Sequence, residues 1–290
     1  MKPKQSQKKL YLAYVLSLFI GLFLASCVID PHDNDGRHND FVATEDFNFK
    51  IDIRDQRRLE LFGVNGTVEI YGTSQTLDVV EIRGEMRVES DSRRDAEDYL
   101  RDLSVEISNQ SDRLIVRTQQ PNDTRGRNFV VNYHICIPGD WRVLADNTNG
   151  VVRVDSVGND VAVYQSNGEI NLGTITGDVN VDLTNGNLFF RDVYGNLDAE
   201  NVNGNIDARV TIPSNGKIRM GTVNGNLLLS IPANTAADFS ATATNGGISV
   251  SNLFLHNSQI TNRSTTGTLG NGDGEVTLGT VNGAIQVTGF

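Results

Sequence analysis

Two cysteines, four histidines and 36 carboxylates are the side chains of this 290-residue sequence that could do chemistry, and their spacing excludes more than it supplies. A zinc or iron–sulfur site built on thiolates needs more than Cys27 and Cys136. His32 and His38 sit in a polar stretch, His134 in an apolar alternation and His256 far downstream, so no Ser-His-Asp order or metal-ligand spacing emerges. The Asp-rich run around Gly36 resembles a calcium loop in composition only. An EF-hand needs oxygen ligands where this chain has Pro31 and Val42. Cys136, flanked by Ile135 and Ile137, reads as a small buried hydrophobe rather than a nucleophile. No metal, cofactor or catalytic residue is expected. A net charge of −11 argues against a nucleic-acid partner, which would need clustered Lys and Arg.

The N-terminus carries a different chemistry. Lys2, Lys4, Lys8 and Lys9 precede an apolar run over 10–25 that is short for a membrane span and reads as a signal peptide. It ends in Leu24-Ala25-Ser26-Cys27, which resembles the lipobox of bacterial lipoproteins, where the chain is cut before a cysteine that receives lipid. The resemblance implies removal of residues 1–26 and lipidation at Cys27, so that the membrane contact is acyl chain rather than polypeptide. Val28 rather than Asp after the cysteine implies, by the sorting pattern of Gram-negative lipoproteins, the outer membrane of the cell envelope. The mature chain would keep 21 basic and 36 acidic residues, a net −15, which disfavours a polybasic membrane contact. Residues 27–46 read as an acidic flexible linker.

The elements that must position anything further are β-strands. From Phe47 onward, Phe47, Phe49, Ile51 and Ile53 alternate, and similar runs follow at Leu59, Val68, Val79, Val105 and Leu114. One helix is expected over 91–103, capped by Asp91 or Ser92 with Ala96, Leu100 and Leu103 near one face. These make a β head segment over 47–140. Beyond it the thirty asparagines of the chain show their purpose. Asn149-Gly150, Asn167-Gly168, Asn185-Gly186 and Asn203-Gly204 recur every eighteen residues, and Asn224-Gly225 follows with others. The second and fourth residues after the glycine are apolar in copy after copy, as in Ile170/Leu172, Leu188/Phe190 and Ile206/Ala208, while those between are mostly polar. One face of each short strand is therefore buried and the other wet.

Strands of about five residues between turns suit two architectures: an all-β solenoid of stacked coils, or an antiparallel β-sandwich in which each Asn-Gly closes a hairpin. The constant period favours the solenoid, with about eighteen residues per coil over 141–290, continuous with the head, and with corner asparagines stacked into amide ladders. Outward Asp160, Asp178, Asp182, Asp198 and Glu200 would then fall into an acidic stripe, either a solvated face or a binding surface.

Gly63-Val64-Asn65-Gly66, Ile135-Cys136-Ile137-Pro138, the array of Asn-Gly strands and the ending Leu278-Gly279-Thr280-Val281-Asn282-Gly283-Ala284-Ile285 together resemble the bacterial putative-adhesin family of β-strand-repeat proteins, a domain of unknown function. The resemblance covers about residues 47–290 and implies repetitive β structure in an envelope setting. It identifies no ligand and no catalytic residue. The resulting expectation is a non-enzymatic envelope lipoprotein presenting a rigid β surface for adhesion, binding or assembly, with an envelope protein or glycan as partner. The alternative is a carbohydrate-active β-solenoid enzyme using the abundant carboxylates. A transmembrane barrel is disfavoured because strands this short do not cross a bilayer.

Overall fold

A computed structural model describes residues 39–290; the signal peptide read over 1–26, Cys27, His32, His38 and most of the linker lie outside the described residues. The alternating residues form strands almost throughout. β1 (Phe41–Asp52) comes first, then β2 (Arg58–Phe62) and β3 (Asn65–Thr73) around Asn65-Gly66. An insertion follows, made of β4 (Val79–Ser90), α1 (Arg93–Leu100), the hairpin β5 (Ser104–Asn109) and β6 (Leu114–Gln119), and β7 (Asn128–Pro138). The long strands β8 (Arg142–Asp155) and β9 (Val161–Ile175) each run through an Asn-Gly corner. After them come β10 (Val179–Asn185) with β11 (Leu188–Tyr194), β12 (Leu197–Asn203) with β13 (Ile206–Thr211), β14 (Lys217–Asn224) with β15 (Leu227–Ile231), and β16 (Ala237–Asn245) with β17 (Ile248–Ser251). The hairpin β18 (Leu255–Ile260) and β19 (Ser264–Leu269) leads into β20 (Gly274–Asn282) and β21 (Ile285–Gly289).

Equivalent residues of successive repeats pair in parallel, Val143 with Val161, Val161 with Val179 and Val179 with Leu197 before the corner, and Ile170 with Leu188 and Leu188 with Ile206 after it. That register makes the repeats stacked coils of a β-solenoid, each giving one strand to a first row, ahead of the Asn-Gly corner, and one to a second row behind it. The corner does not close a hairpin. The inward residues of both rows, among them Val163, Val181, Ala199, Ile170, Leu188 and Ile206, form one continuous apolar core.

Four features depart from the sequence reading. The linker ends earlier than residue 46, because β1 starts at Phe41 and pairs with β4 along its whole length, burying Ala43 and Phe47; its exposed acidic residues disguise a strand held by backbone hydrogen bonds. The solenoid also starts inside the span read as head. β2 and β3 form its first coil, Asn65 and Gly66 standing in register with Asn149 and Gly150, so residues 79–138 are an insertion between the first and second coils. In that insertion β4 and β7 pair antiparallel and β7 joins β3, while β6 joins β2. The helix is shorter than 91–103: Ser92 caps it by accepting the Asp95 backbone N–H at 3.3 Å, and it buries Ala96 at the end of the stack.

The fourth departure is at the far end. The last coil in the chain, β20 and β21, lies between β14–β15 and β16–β17, so chain order and spatial order part company there. The hairpin β18–β19 makes this possible: β19 pairs antiparallel with β16 and covers its outer edge before the chain returns inward. An open strand edge is thereby paired, which limits edge-to-edge association.

Candidate functional site

The Asn-Gly corners give the body its stiffness. At each corner the asparagine amide donates through Nδ2 to the Oδ1 of the next asparagine along the stack: Asn149 to Asn65 at 2.6 Å, Asn167 to Asn149 at 2.7 Å, Asn185 to Asn167 and Asn203 to Asn185 at 2.8 Å, Asn224 to Asn203 at 2.7 Å, and Asn282 to Asn224 and Asn245 to Asn282 at 2.8 Å. Asn65 donates in turn to the Phe129 carbonyl at 2.9 Å. This ladder runs through all the coils and follows their spatial order. The glycines stack just as closely: a methyl on Gly150, Gly168, Gly186, Gly204, Gly225, Gly283 or Gly246 would overlap the carbonyl oxygen of the glycine in the neighbouring coil. Asn215-Gly216 and Asn271-Gly272 precede first-row strands, at the other bend, and stand outside this ladder.

A second layer of amides and hydroxyls lies inside the corner. Gln165 donates to the carbonyls of Gly150 and Asn167 at 2.8 Å, Asn201 to Gly186 at 2.8 Å, Thr222 to Gly204 at 3.2 Å and Thr280 to Gly225 at 3.0 Å. These side chains are buried, and they pair carbonyls that the bend would otherwise leave unmatched. Sequence reasoning missed them, although each stands two residues before an Asn-Gly.

On this frame the outward side chains of the first row form columns. Arg58, Arg142, Asp160, Asp178, Asn196 and Lys217 each precede the first inward residue of their strands and form one column. It is tied together by hydrogen bonds from Asp178 N–H to Asp160 Oδ1 at 3.2 Å, Asn196 N–H to Asp178 Oδ1 at 3.1 Å and Lys217 N–H to Asn196 Oδ1 at 2.7 Å, while Arg142 pairs with Asp160 at 3.2 Å. The next column holds Leu144, Ala162, Asn180, Asp198 and Arg219, and a third holds Asp146, Tyr164, Asp182 and Glu200. The first two columns line a shallow groove of about 520 Å³ that crosses the strands from β2 to β14. Its ends are basic, at Arg58 and Arg142 and at Lys217 and Arg219, and its middle is acidic.

The five acidic residues singled out from the sequence thus do not form one stripe. Asp160 and Asp178 belong to the bend and are largely occupied there. Asp182 and Glu200 lie directly opposite on adjacent strands, with Asp198 on the same face. Burial, with the nearby Asp198 charge, pushes the Asp182 carboxyl up. Burial, then Asp198 and Asp182, push Glu200 up to about 7 against the pull of Arg219. The Glu200 carboxylate folds over Gly221, where a Cβ would collide with it, and Gly279 beside Gly221 leaves open space. Among the described residues no three His, Cys, Asp or Glu side chains converge as metal ligands. The basic residues at the groove ends escaped sequence reasoning, and the signal that would have found them is their shared repeat position just before an inward apolar residue.

Cys136 is not a buried hydrophobe. It alternates with the fully buried Ile135 and Ile137 and sits half-buried on the outer face of the second row, beside His134.

Among solved structures the chain is similar to a putative cell adhesion protein from Clostridium sporogenes, at 11% identity over 85% of this chain and 100% of that one with a TM-score of 0.36. It is similar also to a putative adhesin from Bacteroides fragilis, at 8% identity over 86% and 97% with a TM-score of 0.39. A putative lipid binding protein from Parabacteroides distasonis matches at 11% identity over 84% and 96%, with a TM-score of 0.28. No curated protein sequence matches this chain. Residues 137–288, which hold every coil but the first, match the Toastrack DUF4097 domain, and the chain belongs to that family.

Proposed function

We propose that this is a non-enzymatic protein of the bacterial cell envelope, held to the outer membrane by lipid on Cys27, whose first row binds an extended polar ligand, a glycan or an envelope polypeptide, along its outer face. The observation that carries the reading is the groove from Arg58 to Arg219: charged and amide side chains at fixed strand spacing, on a backbone locked by asparagine ladders. Five strand-to-strand steps of about 4.8 Å give it a length of about 24 Å, suited to a ligand that repeats along its own axis. Preorganisation of this kind removes ordering cost on the protein side of a weak, polar interface. The lipid anchor is proposed on Leu24-Ala25-Ser26-Cys27; no helix among the described residues is long and apolar enough to cross a membrane.

Glycan-array binding and turnover, measured on the same purified protein, test the reading. Binding that weakens at least tenfold in Arg142→Ala and Lys217→Ala supports it. Release of oligosaccharide from a bound glycan, or binding untouched by both substitutions, refutes it.

A further inference from the structure

The outer face of the second row carries a constellation that the groove does not use. His134 and Cys136 are two residues apart on β7 and share that face, and Glu69 and Arg153 reach it from β3 and β8. His134 Nδ1 lies 3.3 Å from Glu69 Oε2, and Arg153 holds the other carboxylate oxygen at 3.3 Å. The nitrogen on the far side, His134 Nε2, stands 3.9 Å from Cys136 Sγ. Tyr71, the register partner of Cys136, packs its ring against the imidazole at 5.2 Å between centroids. With Nδ1–H donating to Glu69, the Nε2 lone pair faces the thiol. Nucleophile, base and orienting group thus stand in the order that thiol chemistry requires, on strands rather than loops.

We propose that Cys136 is a modification site that takes small-molecule disulfides, with His134 as proton acceptor and Glu69 as the residue that positions it. The Cys136 sulfur attacks one sulfur of the disulfide R–S–S–R in line. A new S–S bond forms between Cys136 and one R–S group, the S–S bond of the reagent breaks, and the other R–S group leaves as a thiolate that takes up the proton His134 accepted from Cys136 and departs as RSH. Cys136 is oxidised to a mixed disulfide while one half of the reagent is reduced to a thiol. Exchange of this kind spreads its charge over three sulfurs and needs no oxyanion hole, so a shallow face suffices where acyl transfer would not. Among the described residues Cys136 is the only cysteine, so the product there is a mixed disulfide with the reagent.

The test uses the purified full chain and neutral 2-hydroxyethyl disulfide, with the rate followed on the peptide that bears Cys136 so that Cys27 does not interfere. His134→Gln should slow modification at pH 7 at least tenfold. Glu69→Gln should slow it less and displace the rate–pH profile, a shift that a merely structural role would not produce. The groups that shape this profile are Glu69 and Tyr71 on β3, Arg153 and Asp155 on β8, and Glu81 and Arg83 on β4. Should His134→Gln fail to fold, His134→Asn and the parent's own profile carry the test. A rate within twofold of the parent in the His134 variant, or a native Cys136 slower than the same thiol in the urea-unfolded chain, overturns the proposal.

Discussion

Gly186→Ala isolates the physical basis of the stack. Gly186 has φ of +138°, where an L side chain costs about 1–3 kcal/mol. Its added methyl would also overlap the Gly168 carbonyl oxygen, so the two coils must part locally. That separation strains the Asn185 to Asn167 amide bond at 2.8 Å and the Ile170 N–H to Asn187 carbonyl bond at 3.1 Å, worth about 1 kcal/mol each. The sum is about 3–5 kcal/mol, or a melting temperature lower by about 10 °C for a body of this size. Gly279→Ala is the matched control, since a Cβ there meets no atom within 4 Å and the substitution should fall within about 0.5 kcal/mol of neutral. Thermal unfolding of both variants, followed by circular dichroism, decides the matter. Equal melting temperatures, or a larger loss in Gly279→Ala, would refute the account of glycine at the corner.

Asn185→Ala removes two ladder bonds, one donated and one accepted, and should cost about 1–2 kcal/mol, whereas Asn245→Ala at the end of the ladder removes one and should cost about half as much; urea midpoints give the ratio. Glu200, pushed up to about 7 in the fold, binds its proton more tightly there than in the unfolded chain, where glutamate titrates near 4.3. Its contribution to stability is full below the unfolded value and is lost as pH rises through about 7, so Glu200→Gln should flatten the loss of stability across that window and leave the variant the more stable of the two above it. Unfolding free energies at pH 4.5 and 8 check the sign, and a parent that gains stability over that range contradicts it. Cys27→Ser should move the protein from the membrane fraction to the soluble one, and persistent membrane association after the substitution would refute the lipid anchor.

Some of this architecture is written in local spacing. A residue pattern of period two buries one face of any strand, and an Asn-Gly recurring every eighteen residues can bring equivalent corners into register only if the coils stack; Asn149, Asn167, Asn185 and Asn203 therefore announced both the solenoid and its amide ladder. The helix cap was legible to within one residue, Asp91 or Ser92, because capping is a contact within a few residues, and the structure selects Ser92. What depends on pairing between distant segments was not legible. The first coil, Arg58 to Thr73, is parted from the second by a whole insertion, and the coil ending in Gly289 lodges between two earlier ones; nothing in the spacing of either segment says which neighbour its backbone will meet. The acidic residues show the same divide. Their outward direction followed from alternation, but only stacking put Asp182 against Glu200, laid the Glu200 carboxylate over Gly221, and brought Glu69, 65 residues away, to the imidazole of His134. Periodicity is a property of the chain, whereas charge proximity belongs to the lateral order of strands, which exists only once the coils have packed.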